Sequence, residues 1–218
     1  MGYFITFEGV EGCGKTTQVS LLAERLTAHG FSVIQTREPG GCAIADKIRT
    51  ILLDAGNNDM SSMSELLLYS AARAQHVSEV ILPALSSEKV VICDRFSDAT
   101  IAYQGYGRGI KRSIIDSLNS HACQGITADL TLLIDCNPEI GLQRARQRIE
   151  ASSGPREERF ELEELKFHRL VRTGYLQLAA AEARRIAVID GNDSIEEISS
   201  AIAVQVLARI PEVLRAVC

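Results

Sequence analysis

Five short apolar runs punctuate the chain: Tyr3–Glu8, Ser32–Arg37, Val90–Asp94, Leu130–Cys136 and Ile186–Asp190. Their unbroken apolar character suits strands covered on both faces, as in a parallel sheet. The stretches between them are longer and repeat apolar residues at helical spacing. Val19, Leu22, Ala23 and Leu26 form one face of a helix after the first strand. Capping chemistry agrees with this division. Asn137-Pro138 sets an N-cap residue before a proline at the first helical position. Ser194, with Glu197 three residues on, makes a capping box. Alternating strand and helix predicts an α/β fold: a five-stranded parallel sheet flanked by helices on both faces, with ligands at the carboxyl ends of the strands.

Composition narrows the partners more than the fold. The 218 residues hold enough apolar content (46%) for a sizeable core, and five prolines argue against disorder. No repeat, low-complexity tract or linker interrupts the chain, so one domain over 1–218 is expected. A net charge of −5 leaves no basic footprint for nucleic acid. The six cysteines (Cys13, Cys42, Cys93, Cys123, Cys136 and Cys218) are scattered, without a Cys-x-x-Cys pair. They read as reduced thiols rather than a zinc site. With no leader-like segment and no long uncharged apolar run, a cytoplasmic protein without membrane contact is expected.

The first strand runs directly into Gly9-Val10-Glu11-Gly12-Cys13-Gly14-Lys15-Thr16, a full match to the phosphate-binding loop G-x-x-x-x-G-K-[ST] in its strand–loop–helix setting. The glycines let backbone N–H groups turn onto a polyphosphate, and the helix adds its positive end. Lys15 would reach the β/γ-phosphates of ATP, and the Thr16 hydroxyl would ligate Mg²⁺, with Thr17 completing the set. Cys13 sits in this loop, where a thiol is either a small tolerated side chain or an oxidisable one. No Asn-Lys-x-Asp tetrapeptide supports a GTPase reading. The phosphate loop alone does not choose between switch, motor and small-molecule kinase.

Further segments fall where a second ligand would bind: Thr36-Arg37-Glu38-Pro39-Gly40-Gly41, Tyr69-Ser70-Ala71-Ala72-Arg73, Asp94-Arg95-Phe96 and Ala102-Tyr103-Gln104-Gly105. Together with Glu11, these closely resemble the thymidylate kinase family in its bacterial branch, over essentially the whole chain. The resemblance implies a P-loop kinase fold, the substrates dTMP and ATP, Mg²⁺ and a homodimer. It also implies that Arg37 and Arg95 clamp the acceptor phosphate, which suits guanidinium forks. The residue-level alternative pairs them with Glu38 or Asp94. Asp94 either orients Arg95 or reaches Mg²⁺ through water.

For the base, the resemblance implies that Tyr69 stacks on thymine, Arg73 donates to its O4, and Thr100 contacts the N3 edge. Tyr69 lies one turn before Arg73, so the two share a helix face. Spacing alone equally allows Tyr69 to be half-buried core. For the sugar, Glu11 resembles the carboxylate that accepts from the 3′-hydroxyl. Tyr103 resembles the ring that excludes a ribose 2′-hydroxyl, with Gln104 beside it. Phe96 departs from the family pattern, which often has tyrosine there.

One family branch carries an arginine inside the phosphate loop. Gly12 occupies that stretch here, so the resemblance assigns the catalytic cation to a lid at about 144–164. Arg159 is its best match, Arg156 the second, and Arg144 packs against adenine. Arg144, Arg146, Arg148, Arg156 and Arg159 mix there with Glu150, Glu157 and Glu158, which read alone make a solvated charged segment. Competing readings are a kinase for another deoxynucleoside monophosphate, and a nucleotide switch that binds a protein partner.

Overall fold

The computed structural model describes residues 2–151, 158–211 and 214. In chain order the elements are β1 (Tyr3–Glu8), α1 (Lys15–Ala28), β2 (Val33–Arg37), α2 (Ala43–Leu53), α3 (Ser62–His76), α4 (Leu82–Ser86), β3 (Val90–Asp94), α5 (Ser97–Thr100), α6 (Arg112–Ala122), β4 (Leu130–Asp135), α7 (Pro138–Glu150), α8 (Leu165–Ala181), β5 (Ile186–Asp190) and α9 (Ile195–Leu207). Residues Ile101–Gly107 prolong α5 in wider π-type turns.

The strands form one parallel sheet in the order β2-β3-β1-β4-β5. Three strands match the sequence expectation residue for residue. The second begins one residue late, at Val33, whose pairing with Val90 opens the register. The fourth stops at Asp135, which pairs with Asp190; the chain then turns, and Asn137 caps α7 by accepting from the Glu139 N–H. The capping box of Ser194 and Glu197 forms as expected.

Side-chain alternation along β1 feeds a core on each face of the sheet. Ile5 and Phe7 join Leu22, Leu26, Ile92 and Leu132 on one side. Phe4 joins Val77, Ile81, Val91 and Phe96 on the other. Phe4, Ile5 and Phe7 are wholly buried, and each contributes roughly 1.5–3 kcal/mol of burial free energy. Val19, Leu22, Ala23 and Leu26 are buried together, as their spacing predicts.

Register sets the stage for the site. Arg37 and Phe7 both pair with Asp94, so the loops after β1, β2 and β3 leave the sheet at one edge. On the cradle's other side, Gly12 and Gly141 of α7 touch backbone to backbone. A Cβ on Gly12 would lie 1.9 Å from the Gly141 carbonyl oxygen, and Gly12 has φ +67°. No side chain fits there without moving α7, which explains physically why this loop carries no arginine at that position. Among the described residues, no helix is long and apolar enough to cross a membrane.

Candidate active site

The phosphate cradle takes its shape from its backbone. Gly14 is the N-cap of α1 at φ +92°, and it offers no side chain to the helix's first N–H groups, which are left for a ligand. Lys15, almost buried, donates through Nζ to the carbonyls of Gly9 (3.1 Å) and Val10 (2.9 Å), and lies 3.4 Å from the Cys13 sulfur. Its ammonium is therefore stored inside the loop. Thr16 donates to Asp94 Oδ2 at 3.0 Å, so the two residues expected at the metal stand side by side.

Above the cradle opens a cavity of about 1080 Å³. Its walls include Glu11, Gly12, Gly14, Lys15, Thr16 and Thr17 from the cradle side, and Arg37, Tyr69, Arg73, Asp94, Arg95, Thr100, Tyr103 and Gln104 opposite. Arg144 also faces it. Gly9 and Val10 contribute through the carbonyls that hold Lys15 rather than as lining.

Glu11 and Arg95 meet at the centre. Arg95 has φ +72°, a costly conformation for a large side chain, held by its N–H bonding Phe7 O and by Glu8 Oε1 accepting from the Phe96 N–H. Its guanidinium donates to Gly9 O (2.9 Å), to the Tyr175 hydroxyl (3.1 Å) and to Glu11 Oε1 (3.2 Å), and lies over the Tyr103 ring. The carboxylate partner is Glu11, not Asp94. The Tyr103 hydroxyl also donates to Glu11 Oε1, at 2.5 Å. Burial alone would raise the Glu11 pKa, but the His168 hydrogen bond and the charges of Arg95 and Lys15 outweigh it and hold the group down to about 2. Glu11 is thus ionised at neutral pH.

Behind the cavity wall opposite the cradle, Arg73 stands in a buried ion-pair network. Arg73 is 1% exposed and spends four N–H donors internally. Nε bonds Glu38 Oε2 (2.7 Å), Nη1 bonds Thr100 and Asn119, and Nη2 bonds the Phe96 carbonyl. Glu38 is shared with His76 Nδ1 (3.0 Å), so it serves Arg73 rather than Arg37. Arg37 is over half exposed and faces Asp46 at 3.6 Å. Tyr69 is half-buried against Phe160 and lines the cavity.

The arginines of the expected lid segment stand in different surroundings. Arg156 lies outside the described residues. Arg159 is 5% exposed and does not line the cavity: Nη1 bonds Glu65 at 2.7 Å, and Nε donates to the Leu52 carbonyl at 2.5 Å. Glu65, wholly buried, also accepts from Gln104 and Arg108, which makes it an anchor for this arginine. Arg148 instead faces the cavity beside Arg144. Sequence reasoning missed Arg49, which lines the cavity, and His168 and Tyr175, which hold Glu11 and Arg95 from α8. Their partners are far away in the chain, so no local motif signals them.

A parallel sheet of this order, with a glycine cradle at its central strand, defines the class: an α/β protein of the P-loop kinase fold. The comparisons with known proteins narrow the class to a family. The thymidylate kinase family model matches residues 7–202. A thymidylate kinase of Pelobacter propionicus is 66% identical over 207 residues, covering 95% of this chain and 94% of that protein. One from Geotalea uraniireducens is 60% identical, covering 97% and 100%. The crystal structure of thymidylate kinase from Ehrlichia chaffeensis superposes with a TM-score of 0.74 at 36% identity, covering 95% of this chain and 98% of that one. The chain belongs to the thymidylate kinase family.

Proposed function

We propose that this protein transfers the γ-phosphoryl group of ATP to the phosphate of dTMP, giving dTDP and ADP. The observation that carries the reading is the continuity of one cavity, walled by the phosphate cradle on one side and by Arg37, Tyr69, Arg73 and Arg95 on the other. A pocket of this volume reaches the upper end of the range for single-ligand sites, and suits two nucleotides end to end. Catalysis then needs positioning and charge neutralisation more than covalent help. The acceptor phosphate, with a second pKa near 6, is already largely ionised and needs no general base.

Each side chain has a part in this scheme. Lys15 exchanges its loop carbonyls for the β/γ-phosphates. Arg95 and Arg37 hold the acceptor phosphate. Glu11 accepts from the 3′-hydroxyl, and the Tyr103 ring disfavours a ribose 2′-hydroxyl. Arg73 has one N–H beyond its internal bonds for a base carbonyl, with Thr100 and Gln104 beside it. A hydroxyl and a carboxylate 3.0 Å apart fit Mg²⁺, which favours oxygen donors, few protein ligands and substrate phosphates. Thr16 and Asp94 would hold it, and its chemistry would be to neutralise phosphate charge.

For the lid cation, Arg144 and Arg148 already face the cavity. Arg159 reaches it only by leaving Glu65 and Leu52. Loss of the transition-state arginine should lower kcat by ~10³-fold or more; comparing Arg148→Ala with Arg159→Ala assigns the role.

The same reading has a single-domain enzyme working in the cytoplasm as a homodimer. Exposed Ile44 and Ile51 on α2, and Met63 and Leu67 on α3, support a self-association face. Sedimentation of the protein as a monomer would remove that part.

ADP release from Mg·ATP with dTMP, dUMP, UMP, dCMP, dGMP or no acceptor tests the whole. Strong stimulation by dTMP, weaker by dUMP and little by UMP is expected. Equal slow turnover in every case would overturn the kinase reading.

A further inference from the structure

Glu11 lies in the phosphate loop, yet half of its carboxylate is held from the far end of the chain. His168 of α8 is wholly buried, with Nδ1 3.0 Å from Glu11 Oε2. A carboxylate is acceptor-only, so Nδ1 carries the hydrogen. The other ring nitrogen, Nε2, is buried and finds no hydrogen-bond partner among the described residues. An unsatisfied buried nitrogen costs stability, which makes histidine a poor choice for filling space alone. The neighbouring Phe167 ring meets the imidazole edge-on, restricting its rotation.

Counting acceptor positions gives the consequence. An ionised carboxylate offers about four lone-pair positions. Tyr103, Arg95 and His168 fill three at Glu11. One position is left on a group that lines the cavity, enough for a single hydroxyl. Without His168, the Oε2 side of Glu11 would be free to rotate towards Arg95 or Lys15, and the remaining position would no longer be fixed.

We propose that His168 is the positioning residue for sugar recognition, orienting Glu11 so that its last acceptor position meets the 3′-hydroxyl of the nucleoside monophosphate. This rests on the reading of Glu11 given above. His168 acts through Glu11 and does not itself touch substrate.

The test measures kcat/KM for dTMP and for its 3′-deoxy analogue, 2′,3′-dideoxythymidine monophosphate, in wild type, His168→Asn and His168→Gln. The asparagine amide nitrogen sits where Nδ1 does and keeps the donor; the glutamine amide extends beyond it. The wild type should prefer dTMP by about tenfold or more, the scale of one hydrogen bond to a charged group. H168N should retain that preference. H168Q should lose most of it, with dTMP falling by about tenfold and the 3′-deoxy analogue by less than about twofold. Equal losses on both substrates in H168Q, with melting shifted to match, would overturn the proposal in favour of a packing role. Absence of any preference in the wild type would instead overturn the reading of Glu11 itself.

Discussion

The phosphate cradle and the acceptor wall face each other across one cavity but are built on opposite principles. The cradle is eight consecutive residues, Gly9 to Thr16, shaped by main-chain dihedrals at Gly9, Gly12 and Gly14. Its one cation, Lys15, rests on neutral carbonyls. The wall is assembled from side chains of β2, α2, α3, β3 and the turns after α5, and its cations are paired with carboxylates before any ligand arrives. Removing the Lys15 side chain therefore leaves the cradle's backbone scaffold standing. Removing a buried wall cation strands a buried anion.

The sharpest way to break this contrast is Arg73→Ala. It would leave Glu38, 5% exposed, with the hydrogen bond from His76 but without its guanidinium partner. Losing one member of a buried pair costs about 3–5 kcal/mol, so denaturant unfolding should show a loss of that size together with lost dTMP affinity. Lys15→Met comes next and should separate the two quantities. It should lower kcat by about 10²–10³-fold, while the unfolding free energy moves by less than about 1 kcal/mol. A loss of several kcal/mol in this variant would show that the cradle, too, depends on its charge.

The same contrast governs how much was legible in the sequence. The cradle is contiguous, so its motif can be read at a glance, and the strands that position it follow from unbroken apolar runs. The wall was visible only through resemblance, because no spacing rule links Arg73 to Glu38, 35 positions away, or Glu11 to His168, 157 positions away. Arg159 shows the limit most clearly. Its motif pointed to the cavity, yet Glu65, 94 positions earlier, holds it in the wall of the fold. Tertiary pairing decides where a charged side chain points, and local pattern does not encode it.

Two carboxylates three residues apart carry the comparison onto a pH axis. Burial, with Asp98 nearby, pushes Glu8 up to about 7 despite the opposing charge of Arg95, whereas Glu11 is held down to about 2. For Glu8 the folded form keeps its proton longer than the unfolded chain. Its contribution to stability is full below about 4.5 and is lost as pH rises towards 7. For Glu11 the sign reverses: its contribution is present above about 4.5 and is lost as pH falls towards 2. Glu8→Gln keeps an acceptor for the Phe96 N–H and should remove the first slope, roughly 3 kcal/mol between pH 4.5 and 8. Melting of both proteins across that range checks it; parallel curves would mean that Glu8 titrates like an ordinary carboxylate.

The smallest effect comes from a wall cation that is more than half exposed. Arg37 and Asp46 are each about half exposed, with side-chain exposures of 57% and 48%, and stand 3.6 Å apart. Water screens such a pair, so it contributes at most about 1 kcal/mol. Asp46 also accepts from the Gly41 N–H at 3.2 Å, a bond that asparagine can keep through its carbonyl. Asp46→Asn should therefore shift unfolding by less than about 1 kcal/mol. It also releases Arg37 from its only carboxylate within ion-pair distance among the described residues, so the KM for dTMP should fall, by less than about threefold. If D46N instead destabilised the protein as much as R73A, burial would not be what separates the wall's cations. Pairing itself, exposed or not, would then be the organising force on that side of the cavity.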